Sequence, residues 1–152
     1  MDRITRNVWD NVDTLPIKFE KYIRANGILT GSKVFGGFAS GTSDIDIILR
    51  PTKDISFMNL LMKGLGCYAS NTYVDKQRTY SSLYVRCSFT KHPVNLLLVN
   101  DEYMYDIFVE VTESIAFARQ DPVIRTFLLE KENRSMLFEA LKAHLINSRD
   151  DT

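Results

Sequence analysis

Asp44-Ile45-Asp46 opens an apolar run, and a Gly31-Ser32 pair stands a short loop ahead of it. Successive side chains on an extended strand alternate between faces. Asp44 and Asp46 therefore project together, while Ile45 and Ile47 project the other way. Two carboxylates side by side repel each other unless a cation sits between them. A ligand set made only of oxygen suits a hard ion, Mg²⁺ first and Mn²⁺ next. The small Gly31-Ser32 turn leaves backbone N–H groups and a hydroxyl uncovered, which a triphosphate needs nearby. Lys33 after the turn and Ser43 before the acids complete the candidate nucleotide-binding set. The chemistry on offer is that of a metal–nucleotide complex.

A second glycine pair, Gly36-Gly37, also follows an apolar lead-in and is the alternative phosphate turn. The residues by themselves leave both placements open, and the resemblance given below sets Gly31-Ser32 as the turn. Gly36, Gly37 and Gly41 then serve as a connection that folds over the phosphates, or as a flexible one. Basic residues able to neutralise phosphate are Lys33, Arg78, Arg86 and Lys91, although each also reads as an ordinary solvated charge, as Lys131 and Arg134 do at i, i+3 on a helix. Tyr80 and Tyr84 could stack on a base. His92, before Pro93, belongs to a turn.

These residues need a frame. At 152 residues the chain is one domain with enough material for a core. Its 45% hydrophobic and 25% charged residues are those of a soluble globular protein. The formal net charge of +0 argues against nucleic-acid binding by bulk electrostatics alone. No apolar run is long enough to span a bilayer. Cys67 and Cys87 match no metal-ligand spacing and read as reduced thiols of a cytoplasmic protein. His92 and His144 have no Cys or His companions, so zinc is not expected.

Thr14 and Pro16 start a first helix, with Phe19, Tyr22 and Ile23 on one face, and Asn26-Gly27 ends it. Ile28–Thr30 is a short buried strand, Lys33–Ser43 a connection with one helical turn, and Asp44–Leu49 a strand stopped by Arg50-Pro51. Asp54 or Ser56 caps a second helix over Phe57–Lys63. Ser81–Thr90 alternates as a strand, and Val94–Val99 follows as its hairpin partner. Glu102–Arg119 has helical spacing, and a last helical region runs from Pro122 to Leu145 with a break near Lys131-Glu132-Asn133. Strands in the middle with helices around them make the class α+β.

The Gly-Ser pair, the dozen residues after it and the Asp-hydrophobic-Asp that follows resemble the signature of the nucleotidyltransferase superfamily, the DNA polymerase β-like fold. Within it the chain resembles small phage-encoded nucleotidyltransferase-fold proteins, from about Ile17 to about Leu145. Tyr80-Ser81-Ser82, Val94-Asn95-Leu96, Val109 to Ser114, the stretch Leu129 to Arg134, and Phe138 carry the second half of it. The resemblance implies a minimal nucleotidyltransferase fold, a small mixed sheet flanked by helices and completed by C-terminal helices.

It also implies Mg²⁺-dependent transfer of a nucleoside monophosphate from an NTP to a hydroxyl. An RNA end, a protein side chain or a small molecule would serve as acceptor. Asp44 and Asp46 would bind metal, Gly31 and Ser32 the β- and γ-phosphates. Active members carry a third acid on the neighbouring strand, where this chain has Asn95. Asparagine can coordinate through its carbonyl oxygen but adds no charge and cannot act as a base. Two expectations therefore stand beside each other: a slow or specialised transferase, and a nucleotide-binding or protein-binding module that keeps the fold without turnover.

Overall fold

The computed structural model describes residues 25–39, 43–51, 67–74, 79–87 and 93–150, with strand 67–74 and residues 86–87 by backbone alone. The expected helices starting at Thr14 and over Phe57–Lys63, and Gly41, Arg78, Lys91 and His92, lie outside these residues. In chain order the elements are β1 (Gly27–Thr30), α1 (Ser32–Phe35), β2 (Ile45–Leu49), β3 (Cys67–Val74), β4 (Tyr80–Cys87) and β5 (Val94–Val99). The helices α2 (Glu102–Ala118), α3 (Pro122–Phe127) and α4 (Lys131–Asp150) follow. The protein is α+β, with one five-stranded sheet in the order β1-β2-β5-β4-β3.

The sheet is mixed because β2 and β5 run parallel, while β1, β4 and β3 each pair antiparallel with a neighbour. Val94–Val99 does pair with the strand before it, Val85 standing opposite Val94 and Tyr80 opposite Val99. The β2 side chains are apolar on both faces except at Asp46: Ile45, Ile47, Ile48 and Leu49 are all buried. Such a run is what a central strand covered on both sides requires.

Helix α2 starts where Asp101 accepts the Met104 N–H at 2.8 Å, an N-cap bond that satisfies one of the orphan donors of the first turn. Its apolar stripe, Ile107, Phe108, Val111 and Ile115, is fully buried. Phe108 meets Tyr80 of β4 and Phe138 of α4 edge-on, both at 5.4 Å between ring centroids. Phe138 in turn meets Phe35 of α1 at 6.3 Å. This aromatic chain ties four elements around one point.

Residues 25–26 are helical and Gly27 begins β1, so a helix does end at Asn26-Gly27 as expected. Two features differ from the sequence expectation. The break in the last helical region falls at Leu128–Glu130, ahead of Lys131. Asn133 Nδ2 donates to the Phe127 carbonyl at 2.9 Å, and Arg134 Nη1 donates to the Leu128 and Leu129 carbonyls, each at 2.9 Å. Those side chains cap α3 from within α4, so Lys131-Glu132-Asn133 opens a helix instead of breaking one. Strand β3 was not expected, because a register shift between Asn71 and Tyr73 interrupts the two-residue period that would announce it. Its register sets Cys67 opposite Cys87, so the two cysteines are neighbours across a ladder.

Phe108 is 0% exposed and holds both Tyr80 and Phe138. Phe108→Ala should therefore destabilise the protein by about 3–5 kcal/mol, read as a lower denaturant midpoint with little change in slope. A loss under about 1 kcal/mol would show that the aromatic chain does not hold the helices to the sheet.

Candidate functional site

The parallel register of β2 and β5 places Asp46 beside Asn95, and the antiparallel register of β1 places Thr30 on the other side of Asp46. Residues paired across strands share a face, so Thr30, Asp46 and Asn95 form one polar row. Thr112 of α2 donates its hydroxyl proton to the Phe108 carbonyl at 2.8 Å. A hydroxyl has one proton, so in the 2.9 Å bond between the two threonines Thr30 is the donor. The row is anchored to α2 at that end.

On this row opens a cleft of about 570 Å³, walled by β1, α1, β2, β4 and β5 and by the first half of α4. Gly31, Ser32, Ser43, Asp44, Asp46 and Asn95 line its polar side. Tyr80, Phe35 and Phe138 line the rest together with Lys131, Arg134 and Glu139. Six of the seven site residues read from the sequence thus meet in one place. Lys33 does not: its ammonium lies over the Phe38 ring, 4.5 Å from the centroid.

Gly31 has φ of 70°, and a Cβ there would overlap the Asp46 carboxylate. The glycine serves two ends at once, a left-handed backbone and close approach of β2 to the turn. Gly36 and Gly37, with φ of 113° and 78°, do not border the cleft. They are seats for side chains: a Cβ on Gly36 would touch Arg119, and one on Gly37 would overlap Arg134. Ser43 accepts the Ala39 N–H at 2.9 Å while its own N–H reaches the Ala39 carbonyl at 3.0 Å, closing the loop before Asp44.

Burial pushes the Asp46 carboxyl up to about 6 from an ordinary 3.8. The hydrogen bond from Asn95 works against that rise, the Asp44 charge adds to it, and Lys131 and Arg134 oppose it. Asp44 is also raised by burial, with Lys131 lowering it. The repulsion expected from the sequence is present, and two cations of α4 partly offset it.

Asn95 Nδ2 donates to Asp46 Oδ1 at 3.2 Å, which fixes the amide's orientation, since the reverse would set two oxygens against each other. Asn95 Oδ1 is then buried with no hydrogen-bond partner. An orphaned oxygen of this kind costs about 1–3 kcal/mol. Asp44, Asp46 and Asn95 border one cleft, and side-chain oxygens of this kind are the donors a hard divalent cation takes.

Sequence reasoning left Lys131 and Arg134 between the late basic pair of the resembling proteins and ordinary surface charges, and missed Ser135, Glu139 and Lys142. Lys131, Arg134, Ser135, Phe138, Glu139 and Lys142 recur at helical three-and-four spacing, a single stripe down α4. That period was the available signal. Comparison with protein-family models, with curated proteins and with solved structures finds no match to this chain.

A carboxyl raised from 3.8 to about 6 favours the folded state most when it is protonated. Its contribution is complete below the ordinary value and is lost as pH rises through about 6. In chelator, metal-free wild type should therefore lose on the order of 3 kcal/mol relative to Asp46→Asn between about pH 4 and about pH 7. Parallel stability–pH curves for the two proteins would show that Asp46 is solvated.

Proposed function

We propose that this cleft binds a Mg²⁺–nucleoside triphosphate and transfers the nucleoside monophosphate to a hydroxyl acceptor. The observation that carries the reading is the partnerless Asn95 Oδ1 buried beside the Asp44–Asp46 pair. Asp44, Asp46 and Asn95 would hold Mg²⁺ through oxygen. A bound ion supplies charge that lowers the pKa of the attacking hydroxyl and stabilises the leaving pyrophosphate. Gly31 and Ser32 face the space for the β- and γ-phosphates, where Gly31 leaves room that any side chain would fill. Lys131 and Arg134 balance phosphate charge from the opposite wall, and Arg134 is held in place by its two bonds to carbonyls of the turn after α3. Phe35, Tyr80 and Phe138 give an apolar wall for a nucleoside.

Turnover depends on the α-phosphorus being attacked in line while the triphosphate is fixed, which is positioning and electrostatics more than covalent work by the protein. No side chain is required as nucleophile. Asn95 supports a second reading, a nucleotide-binding module without turnover. Its neutral amide stands where a third carboxylate would strengthen the acceptor side, and it donates to Asp46 instead of adding charge.

Binding comes first. At about a hundred times its Kd, a nucleotide in Mg²⁺ should stabilise the fold by about 2.7 kcal/mol, read as a rise in Tm with ATP, GTP, CTP or UTP. Asp44→Asn relieves a like-charge pair, so it should leave the apo fold as stable or slightly more so while abolishing the Mg²⁺-dependent rise. If Asp44→Asn unfolds the protein yet nucleotide binding persists, Asp44 is structural.

Transfer separates the two readings. With α-phosphate-labelled NTP and cell lysate as acceptor pool, the wild type should transfer label, and simultaneous loss of Asp44 and Asp46 should end it. Asn95→Asp should raise the rate if the position is merely an incomplete catalytic one, and lower it if Asn95 orients substrate. Binding without label transfer by either form would establish the module instead.

A further inference from the structure

Lys142 is fully buried in α4. Its ammonium lies 2.8 Å from Glu139 Oε2 and 3.4 Å from the Thr79 hydroxyl, with the Phe108 and Tyr80 ring centroids at 5.5 and 5.8 Å. A buried ammonium is seldom more stable than an apolar side chain of the same volume, so stability does not explain Lys142. What the pair does accomplish is geometric. Glu139 is half-exposed and borders the cleft, and Lys142 grips one of its oxygens from behind. A carboxylate has about four acceptor positions, and the grip leaves others turned toward the cleft.

The α4 wall therefore changes sign along its length. Lys131 and Arg134 are the cations whose fields reach Asp46. At 1.5 Å per residue, Glu139 lies about 8 Å beyond Arg134 and about 12 Å beyond Lys131 along the axis. Phe138, Tyr80 and Phe35 border the same cleft. A cationic end attracts phosphate, and an anionic end with aromatic walls repels it and accepts hydrogen bonds.

We infer that Glu139, held by Lys142, is a specificity-determining residue that accepts a hydrogen bond from an N–H or O–H donor on the nucleoside half of the bound nucleotide. The inference rests on the nucleotide reading of the cleft and adds direction to it: phosphates toward Lys131 and Arg134, nucleoside toward Glu139. The donor is a base amino or imino group or a ribose hydroxyl. Lys142 is a positioning residue, acting only through Glu139.

The experiment measures Kd in Mg²⁺ for the four NTPs and for inorganic tripolyphosphate, which carries phosphate charge but no nucleoside donor. The proteins are wild type, Glu139→Gln, Lys142→Met and the double variant. Glu139→Gln should weaken the preferred nucleotide roughly tenfold, as loss of one hydrogen bond to a charged acceptor does, and leave tripolyphosphate within about twofold. Lys142→Met should weaken the same nucleotide less, and its effect should vanish in the Glu139→Gln background. A purely structural lysine would lower affinity equally in both backgrounds.

Should Glu139→Gln fold poorly because it leaves Lys142 unpaired, the double variant, neutral at both places, carries the test. Analogues of the preferred nucleotide lacking either the base donor or a ribose hydroxyl then name the partner. The inference is supported if one of these analogues erases the Glu139 dependence. A dependence that survives both is a long-range charge effect and overturns it. Nucleotide binding that is indifferent to Glu139 and Lys142 overturns the inference and leaves the nucleotide reading standing. Absence of both nucleotide and tripolyphosphate binding by the wild type overturns that reading and the inference with it.

Discussion

Strand β2 is buried on both faces and admits one charged side chain, Asp46, whose carboxyl is pushed up to about 6 by that burial. Its neighbours are arranged around this cost. Gly31 lacks the Cβ that would occupy the space of the carboxylate. Asn95 donates to it from β5, and the fields of Lys131 and Arg134 reach it from α4. A carboxylate in such a place costs stability unless it is paired or serves a ligand. Asp46 is compensated only in part, because Asp44 beside it works the other way. The site is a strained electrostatic arrangement held by a strongly packed sheet.

The packing that permits the strain is aromatic. Phe35, Phe138, Phe108 and Tyr80 link α1, α4, α2 and β4 in a chain of ring contacts of 5.4–6.3 Å. Three of the four also border the cleft, so the core and the wall of the site are made of the same side chains. Arg134 plays a similar double part. It fastens the turn between α3 and α4 and thereby fixes its own charge at the cleft. A rigid cation loses less conformational entropy when it meets phosphate than a free one would. No helix among the described residues is long and apolar enough to cross a membrane.

The sequence by itself determined the strands β2, β4 and β5 to within a few residues at each end, the long helix α2, and the α+β class. Each has a strong period or a clear stop: the apolar run after Asp46, Arg50-Pro51, and Ile107–Val111–Ile115. Residue type and spacing also grouped Gly31, Ser32, Asp44 and Asp46, whereas Asn95 joined them only through the superfamily resemblance; the parallel pairing of β2 with β5 sets it beside Asp46. One feature was illegible and another misplaced by a few residues, both for local reasons. The bulge in β3 erases the alternation, and the break before α4 is set by Asn133 and Arg134 reaching backward to carbonyls.

Only the tertiary structure decided which cations face the acids. Lys33 is next to the turn in sequence and lies over Phe38, whereas Lys131 and Arg134, some ninety residues from Asp44, face the acids across the cleft. The identity of Asn95 was readable, but its unpartnered Oδ1 was not, since that depends on which oxygen of Asp46 its amide meets. Lys142 is the sharpest case. Its helical spacing with Arg134, Ser135, Phe138 and Glu139 was readable, yet its burial and its grip on Glu139 follow from Tyr80, Phe108 and Thr79 arriving from other elements. Period and residue type are local properties and can be read along the chain. The sign of a cavity wall is set by elements that meet only after folding.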